Sequence, residues 1–419
     1  MYDLLITNIA EIVTMAAPNK KPLIGDDFQN PQIIYDGAIA IKDGNIALIG
    51  KIPEVHAKIV HSAVDQIIDA KGKTVIPGFV DAHTHLIFAG SREYEFLARI
   101  EKLRNSHNIT MSGGINDTVT ATRKASSDDL FFLGENILKR MLRNGTTTIE
   151  AKSGYGLDFN TEIKILETIK KLNELQPIEI ISTFLGAHAI PRGITSDKYT
   201  DQVIKEMIPS VAKLKLAEFC DVFCEVGFFS YEQSEKVLHA GLEYDLIPKI
   251  HADELSNTYG AQLAADVEAI SADHLIYADR DGLSAMAKAG TIAVLLPGTS
   301  FFLGMKDYAN ADLMKELGVP IALGTDFNPG SCLCDSVKLI LSFACLKLKL
   351  TPLEALAAAT INAAYAINRG NIIGSLEPGK QADIIIMDAP NHDYIPYYVS
   401  CNLINKVIKK GQIVFQSTW

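Results

Sequence analysis

Asp81-Ala82-His83-Thr84-His85 is the segment with the most chemical promise. Two imidazoles two residues apart on a strand point to the same side and can share one metal ion. The segment closes an apolar run, TVIPGFVDAH, and two later runs end in groups of the same kind: IPKIHAD carries His251 and PIALGTD ends on Asp326. Three histidines and one carboxylate brought to one rim form a plausible hydrolytic metal site. Imidazole nitrogen and carboxylate oxygen suit zinc and divalent iron, and a cation so held makes water a nucleophile near neutral pH.

Such a rim needs a frame that delivers each group at the end of a strand. TVIPGFVDAH, TTTIEAKS, IEIISTFLGAH, DVFCEVG, IPKIHAD, ISADHL, TIAVLLPG and PIALGTD are candidate strands that alternate with helix-like stretches. Ser127 and two aspartates open one such stretch, SDDLFFLGENILKRMLRNG, and Gly145 closes it as a C′ glycine. The alternation predicts an α/β fold, a (β/α)8 TIM barrel, whose active site lies at the carboxyl ends of the strands. The chain ends read differently. AIAIKDGNIALIG is a hairpin about its DGN turn, and QADIIIMDA and KVIKKGQIVFQ repeat the style. Residues 1–70 with 375–419 are therefore expected to form a small composite β-sandwich domain, and 71–374 the barrel.

Composition removes several other classes of function. The chain has 419 residues, 48% hydrophobic and 21% charged, the profile of a folded soluble protein. A formal charge of −11 argues against a nucleic-acid or anionic-membrane footprint, which needs clustered Lys and Arg. Six cysteines in so long a chain suit a reducing compartment, and MYDLLITNIAEIVTM has no basic leader region, so a cytoplasmic location is expected. No apolar run reaches the roughly 18 residues of a membrane span. Symmetry base rates make a homodimer the default assembly.

PGFVDAHTH, HADE, GTD and EPGKQADIIIMD together resemble the amidohydrolase superfamily over almost the whole chain. EAKSGYGL, FLGAHAIP, HADELSNTYGAQLAADVEAISADHL and GTDFNPGS resemble its imidazolonepropionase family. The resemblance implies metal ligands His83, His85, His251 and Asp326, holding one divalent ion per subunit, zinc first and iron second. Two-metal members bring a carboxylated lysine from the fourth strand. This chain has Glu225 there, which favours one metal, although Glu225 beside His274 leaves a second site open.

The implied reaction is hydrolysis of the cyclic amide C–N bond of 4-imidazolone-5-propanoate to N-formimidoyl-L-glutamate, in histidine degradation, by a metal-activated water. Glu254, three residues past His251, takes the place of a proton-shuttling, substrate-contacting glutamate, and His274 that of a water-orienting histidine. Asp326 is an alternative proton acceptor, and the sequence does not separate it from Glu254. Arg92, seven residues past His85, matches the position for the substrate's carboxylate, a task suited to a planar guanidinium. Tyr155 in SGYG, His188 in FLGAH, and Asn328, Gly330 and Ser331 in DFNPGS match further substrate contacts. Lys152 is a carboxylate partner, a carbamylation site or an ion pair with Glu150, and Cys332 and Cys334 are weak evidence for a further zinc.

Two rivals are carried forward. A deaminase of heterocyclic bases uses a similar ligand set, but a neutral base offers no carboxylate to Arg92. A non-catalytic scaffold would usually have lost ligands, and all four are present.

Overall fold

A computed structural model of the chain describes residues 1–59, 63–105 and 113–418, without the side chains of 102–105. The five amino-terminal strands of the end sheet come first. Strand β1 (Tyr2–Val13) pairs antiparallel with β2 (Ile33–Lys42), which turns back into β3 (Asn45–Lys51). The turn places Asp43 and Gly44 in succession at φ 51° and 74°, the left-handed pair that a tight two-residue hairpin demands. β4 (Val64–Asp69) and β5 (Thr74–Pro77) both lie parallel to β1.

The barrel follows in strict chain order: β6 (Phe79–Thr84), β7 (Thr146–Lys152), β8 (Glu179–Ala187), β9 (Phe219–Cys224), β10 (Ile247–Ala252), β11 (Ser271–His274), β12 (Ile292–Leu295) and β13 (Ile321–Leu323). Neighbours are parallel throughout. The ring closes beyond β13, where Asp326 N donates to His83 O at 3.0 Å and His85 N to Phe327 O at 2.9 Å. Helices such as Phe159–Leu175, Tyr231–Leu242 and Arg280–Ala289 connect the strands. The carboxyl-terminal strands β14 (Ile384–Met387), β15 (Ile404–Lys409) and β16 (Gln412–Gln416) then complete the end sheet, with β14 antiparallel to β5. The fold is a (β/α)8 barrel with a β-sandwich domain built from both chain ends.

Two local expectations are corrected. TVIPGFVDAH is two strands rather than one: β5 belongs to the end sheet and β6 to the barrel, with Gly78 between them. A Cβ on Gly78 would lie 2.3 Å from Thr147 Oγ1, so the crossing admits no side chain there. The helix expected to start with Ser127 as its cap is capped by Ser126 instead. Ser126 has extended backbone and accepts from Asp129 N at 3.1 Å, while Asp129 accepts from Ser126 N at 3.0 Å, a reciprocal box that leaves Ser127 inside the first turn.

Strand alternation divides the barrel's residues by chemistry. Ile149 and Ala151 on β7, Val222 and Cys224 on β9, and Ile250 and Ala252 on β10 pack in the main apolar core. Their alternate neighbours Glu150, Lys152, Asp221, Lys249 and His251 are buried polar groups on the opposite face. Barrel interiors are usually filled by branched apolar residues. Here a layer of charges lies within the barrel, and buried charges must be paired to be tolerated.

Candidate metal centre

His83, next to last on β6, and His85, the first residue past its end, reach the same rim, where both are at most 2% exposed. His83 Nδ1 donates to Asp273 Oδ2 at 2.6 Å, and His251 Nδ1 to Asp221 Oδ1 at 3.1 Å. Burial holds the His83 imidazole well below its ordinary pKa, so its proton sits on Nδ1 and the Nε2 lone pair is left free. Nε2 of His83 and of His251 are both buried without a hydrogen-bond partner. Asp326 Oδ1 lies 3.5 Å from His83 Nε2 and 3.6 Å from His85 Nε2. Orphaned imidazole lone pairs and a carboxylate oxygen at one point fit a divalent cation, and they account for buried polar atoms that would otherwise be costly. His83, His85 and Asp326 form one donor group within 4.8 Å, and His83 and His251 belong to a second with His274.

Lys152 ties together the carboxylates that orient these histidines. Its Nζ lies 2.7 Å from Glu150 Oε1, 2.7 Å from Asp221 Oδ2 and 3.4 Å from Asp273 Oδ2, all of them fully buried. The lysine is thus a carboxylate partner, and the ion pair with Glu150 exists as well. Burial alone would raise the Asp221 carboxyl, but the Lys152 charge and the hydrogen bond from His251 outweigh it and hold the group well below the usual carboxylate range. For Asp273, burial is likewise overcome by Lys249 and Lys152. Both carboxylates stay ionised and keep the two histidines in one tautomer.

Several loops after the strands adopt strained backbone. Asp253, His274 and Asp326 stand at φ 51°, 76° and 51°, uncommon for residues with a Cβ. Asp326 is fixed by Thr299 Oγ1, which donates to Oδ2 at 2.6 Å, and by Asn328 Nδ2, which donates to Oδ1 at 2.9 Å. Ser331 Oγ and Gly330 N both engage Asn328, so the DFNPGS segment is a single hydrogen-bonded turn. Glu254 lies on the loop after β10, its Oε1 3.6 Å from His274 Nδ1. Burial and then the Asp326 charge push its carboxyl up to about 8.

Glu225 is spent on the loop after β10. Its carboxylate accepts from Leu255 N at 2.8 Å and Ser256 N at 3.2 Å, and also from Val226 N and Ser256 Oγ. That saturates it and ties down the loop bearing Glu254. The second-metal option that the sequence left open has no support in its geometry.

Above the centre is a cavity of about 310 Å³ whose lining includes His85, Arg92, Tyr155, His188, Glu254 and Asn328. His188 stacks on His85 at 4.8 Å, and its Nδ1 donates to Gly154 O at 3.0 Å. Burial lowers this imidazole to about 3, which leaves Nε2 as a neutral acceptor. Tyr155, 3% exposed, lies 5.6 Å from the His85 ring and is kept protonated, chiefly by burial. Gly330 and Ser331 line the same space.

The family model described as "Amidohydrolase family" matches residues 74–414. The chain belongs to the amidohydrolase family. Among curated relatives, an imidazolonepropionase of Geobacillus sp. (strain WCH70) is 46% identical over 420 residues, covering 100% of this chain and 99% of the relative. One of Brevibacillus brevis is 48% identical over 414 residues, covering 98% and 97%. Among solved structures, E. coli guanine deaminase superposes with a TM-score of 0.72 at 17% identity, covering 99% of each chain. An adenosine deaminase from Xanthomonas campestris with bound Zn gives 0.67 at 17% identity, covering 98% of this chain and 92% of that one. At such identities the structural likeness speaks for the fold alone.

Within this amidohydrolase the sequence reading missed the orienting carboxylates Asp221 and Asp273, the clamp Thr299, and Glu95 and Arg99 in the cavity lining. An ionisable residue inside an otherwise apolar strand, as Asp221 is in FCDVFC, was the available signal. Glu95 and Arg99 had none, because they sit on a surface helix among other charges.

Proposed function

We infer that this amidohydrolase is an imidazolonepropionase, acting on 4-imidazolone-5-propanoate in histidine degradation. Full-length identity of 46–48% to curated imidazolonepropionases carries the reading. Water adds to the ring carbonyl carbon, the adjacent ring C–N bond breaks, and that carbon, still bonded to its ring carbon neighbour, becomes a carboxylate. The nitrogen takes a proton and remains in the formimidoyl group.

A divalent cation held by His83, His85, His251 and Asp326 would supply Lewis-acid polarisation of the carbonyl and a lowered pKa for water. The remaining chemistry falls to the chain. Both oxygens of Asp326 already accept from Thr299 and Asn328, whereas the polar neighbour of Glu254 is His274. This favours Glu254 as the group that takes the water proton and returns it to the leaving nitrogen, with Asp326 as ligand. A buried carboxyl poised at about 8 suits both halves of that transfer near neutral pH. His274, whose Nδ1 makes no hydrogen bond and lies 3.6 Å from Glu254 Oε1, would orient the attacking water beside that carboxyl.

The substrate contacts are assigned as follows. His188 Nε2 accepts a ring N–H, and the Tyr155 hydroxyl donates to the ring. Backbone and side chain of Asn328, Gly330 and Ser331 line the path from ring to tail. Arg92 meets the propanoate with the one terminal nitrogen that its pair with Glu95 leaves open. Zinc is the first choice of ion and iron the second. Six free cysteines fit the expected cytoplasmic location, and a homodimer is the expected assembly. No helix among the described residues is long and apolar enough to cross a membrane.

The test follows the ultraviolet absorbance of freshly made imidazolonepropanoate with the enzyme, with and without chelator. Decay that stops on chelation and returns with zinc or iron is expected; no decay at all would overturn the assignment.

A further inference from the structure

Arg92, Glu95 and Arg99 occupy one face where the loop after β6 enters the helix Glu93–Asn105, with Glu95 one turn from each arginine. All three line the cavity. Arg92 is largely committed: its Nε donates to Glu95 Oε1 at 2.9 Å and its NH2 to Glu95 Oε2 at 2.6 Å. Glu95 is 3% exposed and also accepts from Gly114 N, so its charge belongs to that pair.

Arg99 is held differently. Its NH1 donates to Phe302 O and its NH2 to Gly330 O, each at 3.2 Å, and its guanidinium lies over the Phe302 ring at 5.3 Å. All of these partners are neutral, and among the described residues no carboxylate comes within ion-pairing distance of Arg99. The Arg92–Glu95–Arg99 group therefore carries two guanidinium charges against one carboxylate. One positive charge is left over, half-buried, and already oriented by backbone acceptors, which spares the entropy of ordering a long side chain on binding.

We propose that Arg99 is a specificity-determining residue that receives the substrate's tail carboxylate, with the free edge of Arg92 as its second donor. Gly330 sits between the two cations: a Cβ there would lie 2.3 Å from Arg92 NH1, and its carbonyl anchors Arg99. The DFNPGS turn thereby links the residue count from Asp326 at the reacting centre to the distance at which a tail charge is read. The proposal rests on the functional reading above, from which the carboxylate tail comes.

Steady-state kinetics of the metal-loaded enzyme test it, with imidazolonepropanoate and its uncharged propanamide analogue as substrates. Arg99→Gln is expected to raise KM for the propanoate roughly a hundredfold. Its kcat and its kcat/KM for the propanamide should stay within about threefold of the parent, with metal content unchanged. Arg99→Lys, which keeps the charge, should recover much of the loss. An equal loss on both substrates in both variants would show that Arg99 is a clamp on Gly330, and no loss on either would exclude any role, so each overturns the proposal. Failure of the parent enzyme to consume imidazolonepropanoate would instead overturn the functional reading, and the proposal with it.

Discussion

Lys152 Nζ stands 2.7 Å from Asp221 Oδ2, and the other oxygen of that carboxylate accepts from His251 Nδ1 at 3.1 Å. His251 on β10, a proposed metal ligand, is thus oriented from β7 through β9. The arrangement explains why so much charge is tolerated inside the barrel: each buried group satisfies another, and removing one member leaves its partners unpaired.

Asp221→Asn should weaken metal binding about 10- to 100-fold while the fold survives, because asparagine no longer enforces the Nδ1-protonated tautomer of His251. Competition against a chelator of known affinity measures it. Parent-like affinity would remove Asp221 from the site's support.

Glu254→Gln should lower kcat by about 10²- to 10⁴-fold with the metal retained. The parent carboxyl, pushed up to about 8 by burial and then by Asp326, loses its proton as pH rises, so activity that depends on the base form should fall as pH drops. A bound cation moves that limb to lower pH. The limb should be absent in the variant, and a limb that persists unchanged would return the base role to Asp326.

Glu225→Gln keeps one acceptor for the amides of Leu255 and Ser256 but brings an N–H toward the other. The loop holding Glu254 should loosen. We expect kcat to fall roughly tenfold with metal content unchanged, read by single-turnover kinetics beside metal analysis. Metal loss in place of slowed chemistry would restore Glu225 as a ligand.

His392 and Glu11 give a pH-dependent contribution to stability away from the site. His392 donates to Glu11 Oε1 from Nδ1 and from its backbone N, each at 2.9 Å. Burial would lower the imidazole pKa, but the bond and charge of Glu11 outweigh it and raise it above 6.5. A raised folded-state value means stability fully present below 6.5 and lost as pH climbs through the folded value. Glu11→Gln should therefore lower Tm by roughly 1–3 °C on the acid side and converge with the parent in base, as thermal scans across pH will show. An equal deficit at every pH would mean that packing, not charge, is lost.

Much of the site was legible from residue order. His251 lies on β10 as its apolar run implied, whereas β6 stops at Thr84, one residue before His85, and β13 stops at Leu323, three residues before Asp326, so these two groups stand on the connections just past their strands. Even the barrel order is local information, since each strand pairs with the next in sequence. The cap at Ser126 was misread by one residue because adjacent serines offer the same hydroxyl, and only backbone geometry separates them.

Tertiary structure decided what each charged group is spent on. Asp273 reaches His83 across 190 positions, Asp81 binds Thr325 across 244, and Lys152 settles between three carboxylates from β7, β9 and β11. No spacing rule spans such distances, because these neighbours exist only once the barrel has closed. The same closure spends Glu225 on loop amides and Arg92 on Glu95, and leaves Arg99 with a charge to offer. The sequence by itself determined which residues could carry the chemistry and the face each occupies, through the strand's period of two. Which of them remain free to do it was decided by burial, which makes every unpaired charge costly and so assigns partners across the whole barrel.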